Sequence, residues 1–300
     1  MYICIQNNNS FKKYIMNTEV ENSKHQKYSK INEKIFKYYS FDIDDNLLYT
    51  NTKIIMEHLV NNKWIDEEVD TAIFSKIRGT EGWRYKPGDE SFSNFRDYGH
   101  LKDETFIIDF KYAVINKKFG PSWTKFLECL INGNIFSIIT SRGHSPKNIR
   151  KALYWLIYEY GLDNFKDLQI KNINKNINFK DQMIKNLLKY HKIFKTESHQ
   201  VIDYYIELCP IYTISSNYFI EKYGIMTAEE SKKNALQDFN EIVNKYATKL
   251  GINVKYGFSD DDPKFVKAAM DQFLELKLST KNVTYSVFDT GGDKKIKKVL

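Results

Sequence analysis

Three short apolar runs in this chain stop abruptly at a polar cluster and hand over to a helical pattern, and no other feature constrains the fold as tightly. Residues 35–41 end at Asp42-Ile43-Asp44-Asp45. Residues 134–139 end at Thr140-Ser141-Arg142, and residues 253–258 end at Ser259-Asp260-Asp261-Asp262. Strand, cluster and helix repeated in this way predict an α/β fold, a Rossmann-like and mostly parallel sheet flanked by helices. In such sheets the ligand site lies beyond the carboxyl ends of the strands. The clusters at 42–46, 140–142 and 259–262 are therefore expected to converge.

Local signals fix several helices. Ser145 followed by Pro146 opens one over Lys147–Tyr160, a capping serine with proline in the first position. Thr227-Ala228-Glu229-Glu230 is a capping box and opens a helix to about Leu250. Asp262 and Pro263 start another to about Lys277, ahead of a last strand over Asn282–Phe288 and a basic tail. A helix near 121–132 and a short strand at Ile211–Ile214 complete the scaffold, and a helix is expected from about Thr52 to Asn61.

The stretch 63–108 differs, combining glycines with Trp83, Tyr85, Phe92 and Phe95. It reads as an irregular or β-rich, cap-like insertion after the first strand, its aromatics packing among themselves. A second insertion is expected at about 163–205, Lys- and Asn-rich with one amphipathic helix near Lys180–His191. Residues 1–34 read as a polar leader and 35–300 as the α/β domain.

With 300 residues, 42% of them hydrophobic, the chain has enough apolar material for a sizeable core. The net charge of +7 comes from scattered lysines, which suit a solvated exterior better than a dedicated polyanion surface. Cys4, Cys129 and Cys209 are odd in number and far apart, so neither a disulfide framework nor a zinc cluster follows. No apolar run reaches membrane-spanning length and no signal-peptide pattern opens the chain, so a cytoplasmic protein is the expectation.

Asp42, Asp44 and Asp45 lie so close in sequence that their carboxylates repel, which favours a bound divalent cation or one raised pKa. All-oxygen donors suit Mg²⁺ better than a soft metal. A calcium loop fits Asp42, Asp44 and Asn46 as its first three ligands. It fails where Leu47 replaces the required glycine and Lys53 the closing glutamate.

Phe41-Asp42-Ile43-Asp44-Asp45-Asn46-Leu47-Leu48 resembles the first motif of the haloacid dehalogenase-like (HAD) hydrolase superfamily, a hydrophobic strand followed by Asp-x-Asp. Ile138-Ile139-Thr140-Ser141-Arg142 resembles the second motif, Lys232 or Lys233 the third-motif lysine, and Ser259-Asp260-Asp261 the fourth, acidic motif. The four occur in the family's order and cover the scaffold but not the insertions. Asn46 and Ser259 depart from the family pattern, which has Thr or Val at the first position and Gly at the second. A looser likeness of Asp42–Leu48 and Ser259–Asp262 is to uncharacterised HAD proteins of large viruses and phages, which would place the chain in host cytoplasm.

The resemblance implies a Mg²⁺-dependent phosphatase acting on a phosphomonoester. Asp42 would be the nucleophile that forms an aspartyl-phosphate. Asp44 would be the acid and then the base. Mg²⁺ would be held by the Asp42 carboxylate, the Asp44 carbonyl and Asp260 or Asp261. Thr140 and Lys232 would bind the phosphoryl oxygens, with Ser141 and Lys233 as the less favoured choices. Arg142 and His144 read as ordinary loop residues. A nucleotide or nucleic-acid end is a possible substrate on charge alone, and no membrane partner is expected. A different class of reading, a catalytically silent scaffold that binds a protein or nucleic-acid partner, is signalled by loss of Asp42 or Asp44, and both are present.

Overall fold

The central sheet has six strands. β1 (Phe36–Phe41), β5 (Phe136–Thr140), β6 (Ile211–Thr213), β7 (Val254–Asp260) and β8 (Val283–Asp289) pair in parallel in the order β6-β5-β1-β7-β8. The two-residue β9 (Lys297–Lys298) adds an antiparallel edge beside β8. This computed structural model describes residues 36–88, 90–97, 104–171, 173–190, 198–292 and 296–300, and the leader expected over 1–34 lies outside them. The fold is α/β and Rossmann-like, as the strand–cluster–helix pattern predicts.

Burial explains why these runs became central strands. All five residues of β5 and the last five of β7 are buried, as in a strand covered on both faces. The Thr227 capping box forms as read and starts the helix Ala228–Leu250, which turns Ala235, Leu236, Phe239, Val243 and Ala247 inward. Ser145 and Asp262 each cap a helix with proline in its first turn, Pro146–Tyr154 and Pro263–Ser279. The first of these passes into a π-helical turn over Trp155–Gly161.

The strand order reverses at β1, with β5 and β6 on one side and β7 and β8 on the other. With the right-handed crossovers usual for parallel strands, this order puts the connecting helices on opposite faces and opens a crevice at the carboxyl ends of β1 and β7.

Between β1 and β5 sits a small three-stranded antiparallel sheet, β2 (Ile54–Val60), β3 (Lys63–Val69) and β4 (Trp83–Tyr85), in the order β3-β2-β4. The helix expected over Thr52–Asn61 is thus a strand. Asn61 and Asn62 both have left-handed backbones (φ 50° and 61°), the geometry of a two-residue hairpin turn. That turn joins β2 to β3 and imposes period-two burial on Ile54 and Met56. A short helix, Thr71–Ile77, and a 3-10 segment, Glu90–Phe95, complete the cap. Ile54, Met56, Val69 and Phe95 form its core, against Phe74, Ile77, Trp83 and Phe92. The aromatics of this region pack with one another as expected: Phe92 lies 5.6–6.4 Å from the rings of Phe74, Tyr85 and Phe95.

Two boundaries move. The helix Thr105–Ile115 buries Phe106, Phe110, Ala113 and Val114 in the main core, so the end of the expected insertion at 108 falls inside the scaffold. The stretch 163–205 flanks the sheet rather than forming a lobe of its own. Phe179, Met183 and Leu187 of the helix Phe179–Tyr190, and Val201, Ile202 and Tyr205 of Ser198–Leu208, all join the main core. No helix among the described residues is long and apolar enough to cross a membrane.

Candidate active site

β1 ends at Phe41, and the chain then turns tightly. Leu47 and Leu48 N–H groups both donate to the Ile43 carbonyl, and Asp45 takes a left-handed conformation (φ 55°), which aspartate tolerates better than most residues. This turn leaves Asp42 at the crevice, its N–H bonded to the Ser259 carbonyl at 3.1 Å. β7 runs to Asp260, so the first and fourth clusters meet through the β1–β7 pairing. Carboxylate oxygens of Asp42, Asp260 and Asp261 all lie within 4.8 Å of one another.

Lys232 enters this group from the first turns of the Ala228–Leu250 helix. Its ammonium donates to Asp42 at 2.8 Å and to Asp260 at 2.5 Å, and lies 3.8 Å from the centre of the Phe265 ring. The side chain is buried. The geometry therefore selects Lys232 over Lys233. Burial disfavours the Lys232 charge, but Asp260 and Asp42 outweigh it and hold its pKa above the ordinary lysine range.

One ammonium does not balance three carboxylates. Burial pushes Asp42 well above the usual carboxylate range in spite of Lys232, with Asp260 and Asp44 adding to the rise. Burial likewise raises Asp260. Asp261 is pushed up to about 9 by burial and by its neighbours Asp260, Asp42 and Asp45. A cluster with excess buried negative charge and only oxygen donors has the composition that a hard divalent cation requires. Asp42, Asp260 and Asp261 thus fit Mg²⁺ as a donor set.

The Asp44 carboxylate stands outside that set. Arg142 grips it through both oxygens, Nε to Oδ2 at 2.8 Å and Nη2 to Oδ1 at 2.7 Å, and the Thr50 hydroxyl donates to Oδ1 at 2.8 Å. Thr140 ends β5 fully buried, its hydroxyl accepting from the Arg142 N–H at 3.3 Å, while Ser141 is exposed. His144 is buried against Phe106 and lies 3.2 Å from the Thr105 hydroxyl. Burial, with Arg142 adding to it, lowers the His144 pKa to about 3, so the ring is neutral at physiological pH.

Asn46 and Ser259, the two departures from the family pattern, touch each other. The Asn46 amide donates to the Asp42 carbonyl at 2.9 Å and to both the carbonyl and the hydroxyl of Ser259 at 3.1 Å. Its own oxygen accepts from Thr290 at 3.0 Å, and Ser122 donates to the Ser259 hydroxyl at 3.0 Å. The cap is joined to the same rim. Thr71 donates to Asp45 at 2.5 Å, and Arg78 forms an ion pair with Asp262 at 2.8 Å. Burial lifts Asp45 to about 6 even with the Thr71 bond opposing it.

The structure brings Asp42, Asp260, Asp261 and Lys232 together, and it binds Arg142, the last residue of the second-motif run and an ordinary loop residue by sequence, to Asp44. The available signal was charge: a lone arginine straight after an apolar strand, facing a triple-aspartate turn, has an obvious partner. Comparison with protein-family models, curated proteins and solved structures yields no match, and the site itself is what speaks to function.

Proposed function

We propose that this chain is a phosphomonoester hydrolase of HAD type, with Asp42 as nucleophile. The observation that carries the reading is the Lys232 bridge. A buried ammonium joins Asp42 to Asp260 at 2.8 and 2.5 Å inside a three-carboxylate cluster, at the crevice where the strand order reverses. A buried like-charge group of this sort costs stability unless it does chemistry or holds an ion.

The proposed steps assign each of these side chains one role. Asp42 attacks phosphorus; a carboxylate oxygen–phosphorus bond forms as the bond to the leaving oxygen breaks, giving an aspartyl-phosphate. Asp44 protonates the leaving oxygen and then takes a proton from the water that hydrolyses the intermediate. Lys232 keeps the Asp42 carboxylate oriented and places positive charge beside the phosphoryl oxygens, and the Thr140 hydroxyl at the end of β5 offers a further donor. Asp42, Asp260 and Asp261 would hold Mg²⁺, which when bound would supply further positive charge. The cap, fastened at Thr71 and Arg78, borders the site and selects the organic part of a small-molecule substrate.

Hydrolysis of an aryl phosphate with and without Mg²⁺, for the native chain and for Asp42→Asn, tests the reading. Metal-dependent release by the native chain alone is the expected result. Equal rates for the two proteins would remove Asp42 from the chemistry.

A further inference from the structure

We propose that Arg142 is a positioning residue for Asp44, acting in the second half of the reaction, the hydrolysis of phosphoryl-Asp42. This rests on the phosphatase reading above and adds a residue to it. The guanidinium is completely buried and makes four side-chain bonds. Two go to the Asp44 oxygens, and Nη2 also donates to Thr50 at 2.9 Å and Thr52 at 2.8 Å. Its flat faces lie against Phe95 of the cap (4.7 Å) and Phe106 of the scaffold (5.2 Å). A forked donor that meets a carboxylate through both oxygens fixes the plane of that carboxylate as well as its distance. An anchor for the root of the cap alone would need only Thr50 and Thr52. The bonds to Asp44 are the part that such an anchor leaves unexplained.

Arg142 meets Asp44 through both of its oxygens, so the group that takes the water proton is held in one plane and at one distance. In the second half-reaction the water oxygen–phosphorus bond forms, the phosphorus–Asp42 oxygen bond breaks, and the water proton passes to Asp44, releasing inorganic phosphate and free Asp42. The gain from an oriented base appears in this step. The first step, with a good aryl leaving group, needs little help from Asp44. Loss of Arg142 therefore acts selectively on the two halves.

Rapid mixing of the full chain, in Mg²⁺, with an aryl phosphate separates the halves, and acid-quenched samples are read by mass spectrometry for phosphorylated chain. Arg142→Lys is expected to give a burst of about one phenolate per chain at close to the native rate. Steady-state turnover then falls roughly 100-fold and phosphorylated chain accumulates. A burst and steady state slowed by the same factor, or an unchanged steady state, would overturn the proposal. Should Arg142→Lys fail to fold, Thr52→Val removes one Arg142 partner without touching Asp44. A native-like burst with steady-state turnover several-fold slower supports the assignment, and equal slowing of both phases or no change overturns it. A native chain with no Mg²⁺-dependent release of phenolate would instead overturn the phosphatase reading itself.

Discussion

The Asn46 side chain is bonded to Ser259 twice, at its carbonyl and at its hydroxyl, both at 3.1 Å. These are the two positions where the chain leaves the pattern of the family that it resembles. Here they form one buried joint between the turn after β1 and the end of β7. The amide carries out at Asn46 what a hydroxyl alone cannot, since it donates to the turn after β1 and to β7 while its oxygen accepts from Thr290.

Asn46→Ala should therefore cost about 2–3 kcal/mol, because it strands several buried acceptors and a donor. Urea unfolding of Asn46→Ala, Ser259→Ala and the double variant measures the joint directly. The expected coupling between the two sites is on the order of 1 kcal/mol. Strictly additive losses would show that the two residues stabilise independently.

Removing the ammonium from the crevice leaves buried like charges facing each other. Lys232→Met is expected to lose roughly 3–5 kcal/mol at neutral pH. The same variant should gain more thermal stability from added Mg²⁺ than the native chain, because a site with more uncompensated charge binds the cation more tightly and mass action rewards that. Melting curves with and without Mg²⁺ decide the point, and a smaller shift for Lys232→Met than for the native chain counts against Asp42, Asp260 and Asp261 as the cation site.

His144 sets a pH dependence of definite sign. Its native pKa is lowered from 6.5 to about 3 by burial. The unfolded chain takes up a proton near pH 6.5 that the native chain refuses until about pH 3. Stability is then lost as pH falls through that window, at up to about 1.4 kcal/mol per pH unit from this group. Comparing native and His144→Gln stability between pH 4 and pH 7 isolates the contribution: the native chain should show the steeper fall toward acid. Parallel curves would mean that His144 is protonated in the folded protein.

The cap hairpin offers a test remote from the crevice. Asn62 holds φ 61° at the β2–β3 turn. Asn62→Gly fits that conformation and should leave stability unchanged or raise it, whereas Asn62→Val should lower it by about 1–2 kcal/mol. Thermal unfolding of the two variants should rank them in that order.

Most of the scaffold was legible because each of its signals is local. The Thr227 capping box, the Ser145-Pro146 and Asp262-Pro263 starts, and the apolar runs before Asp42, Thr140 and Ser259 each name an element from a few adjacent residues. The convergence of Asp42 with Asp260 was legible for a topological reason, since parallel strands in one sheet end at one rim. What failed was non-local. Residues 54–60 carry enough apolar side chains to suit either period, and only pairing with β3 and β4 decides for strand. The helix Thr105–Ile115 shows little amphipathic contrast, because the apolar Ile108, Tyr112 and Ile115 stay exposed opposite its buried face. Arg142 reads as an ordinary loop residue because its partners, Asp44 and Thr52, lie 98 and 90 positions away in sequence.

The loop after β5 does not stand by itself. The Gly143 N–H bonds to the Phe95 carbonyl at 2.8 Å, and Asp97 accepts from the Ser145 N–H at 2.6 Å and from the Asn148 amide at 3.0 Å. Residues at the end of the cap and just past it thus serve as scaffolding for the loop that follows Thr140. Grafting a foreign cap between the ends of this one would require transplanting, or keeping, the strip from Phe95 to Asp97. A chimera that omitted it would carry a new cap beside a slackened β5 loop, and any property lost there would say nothing about the new cap itself.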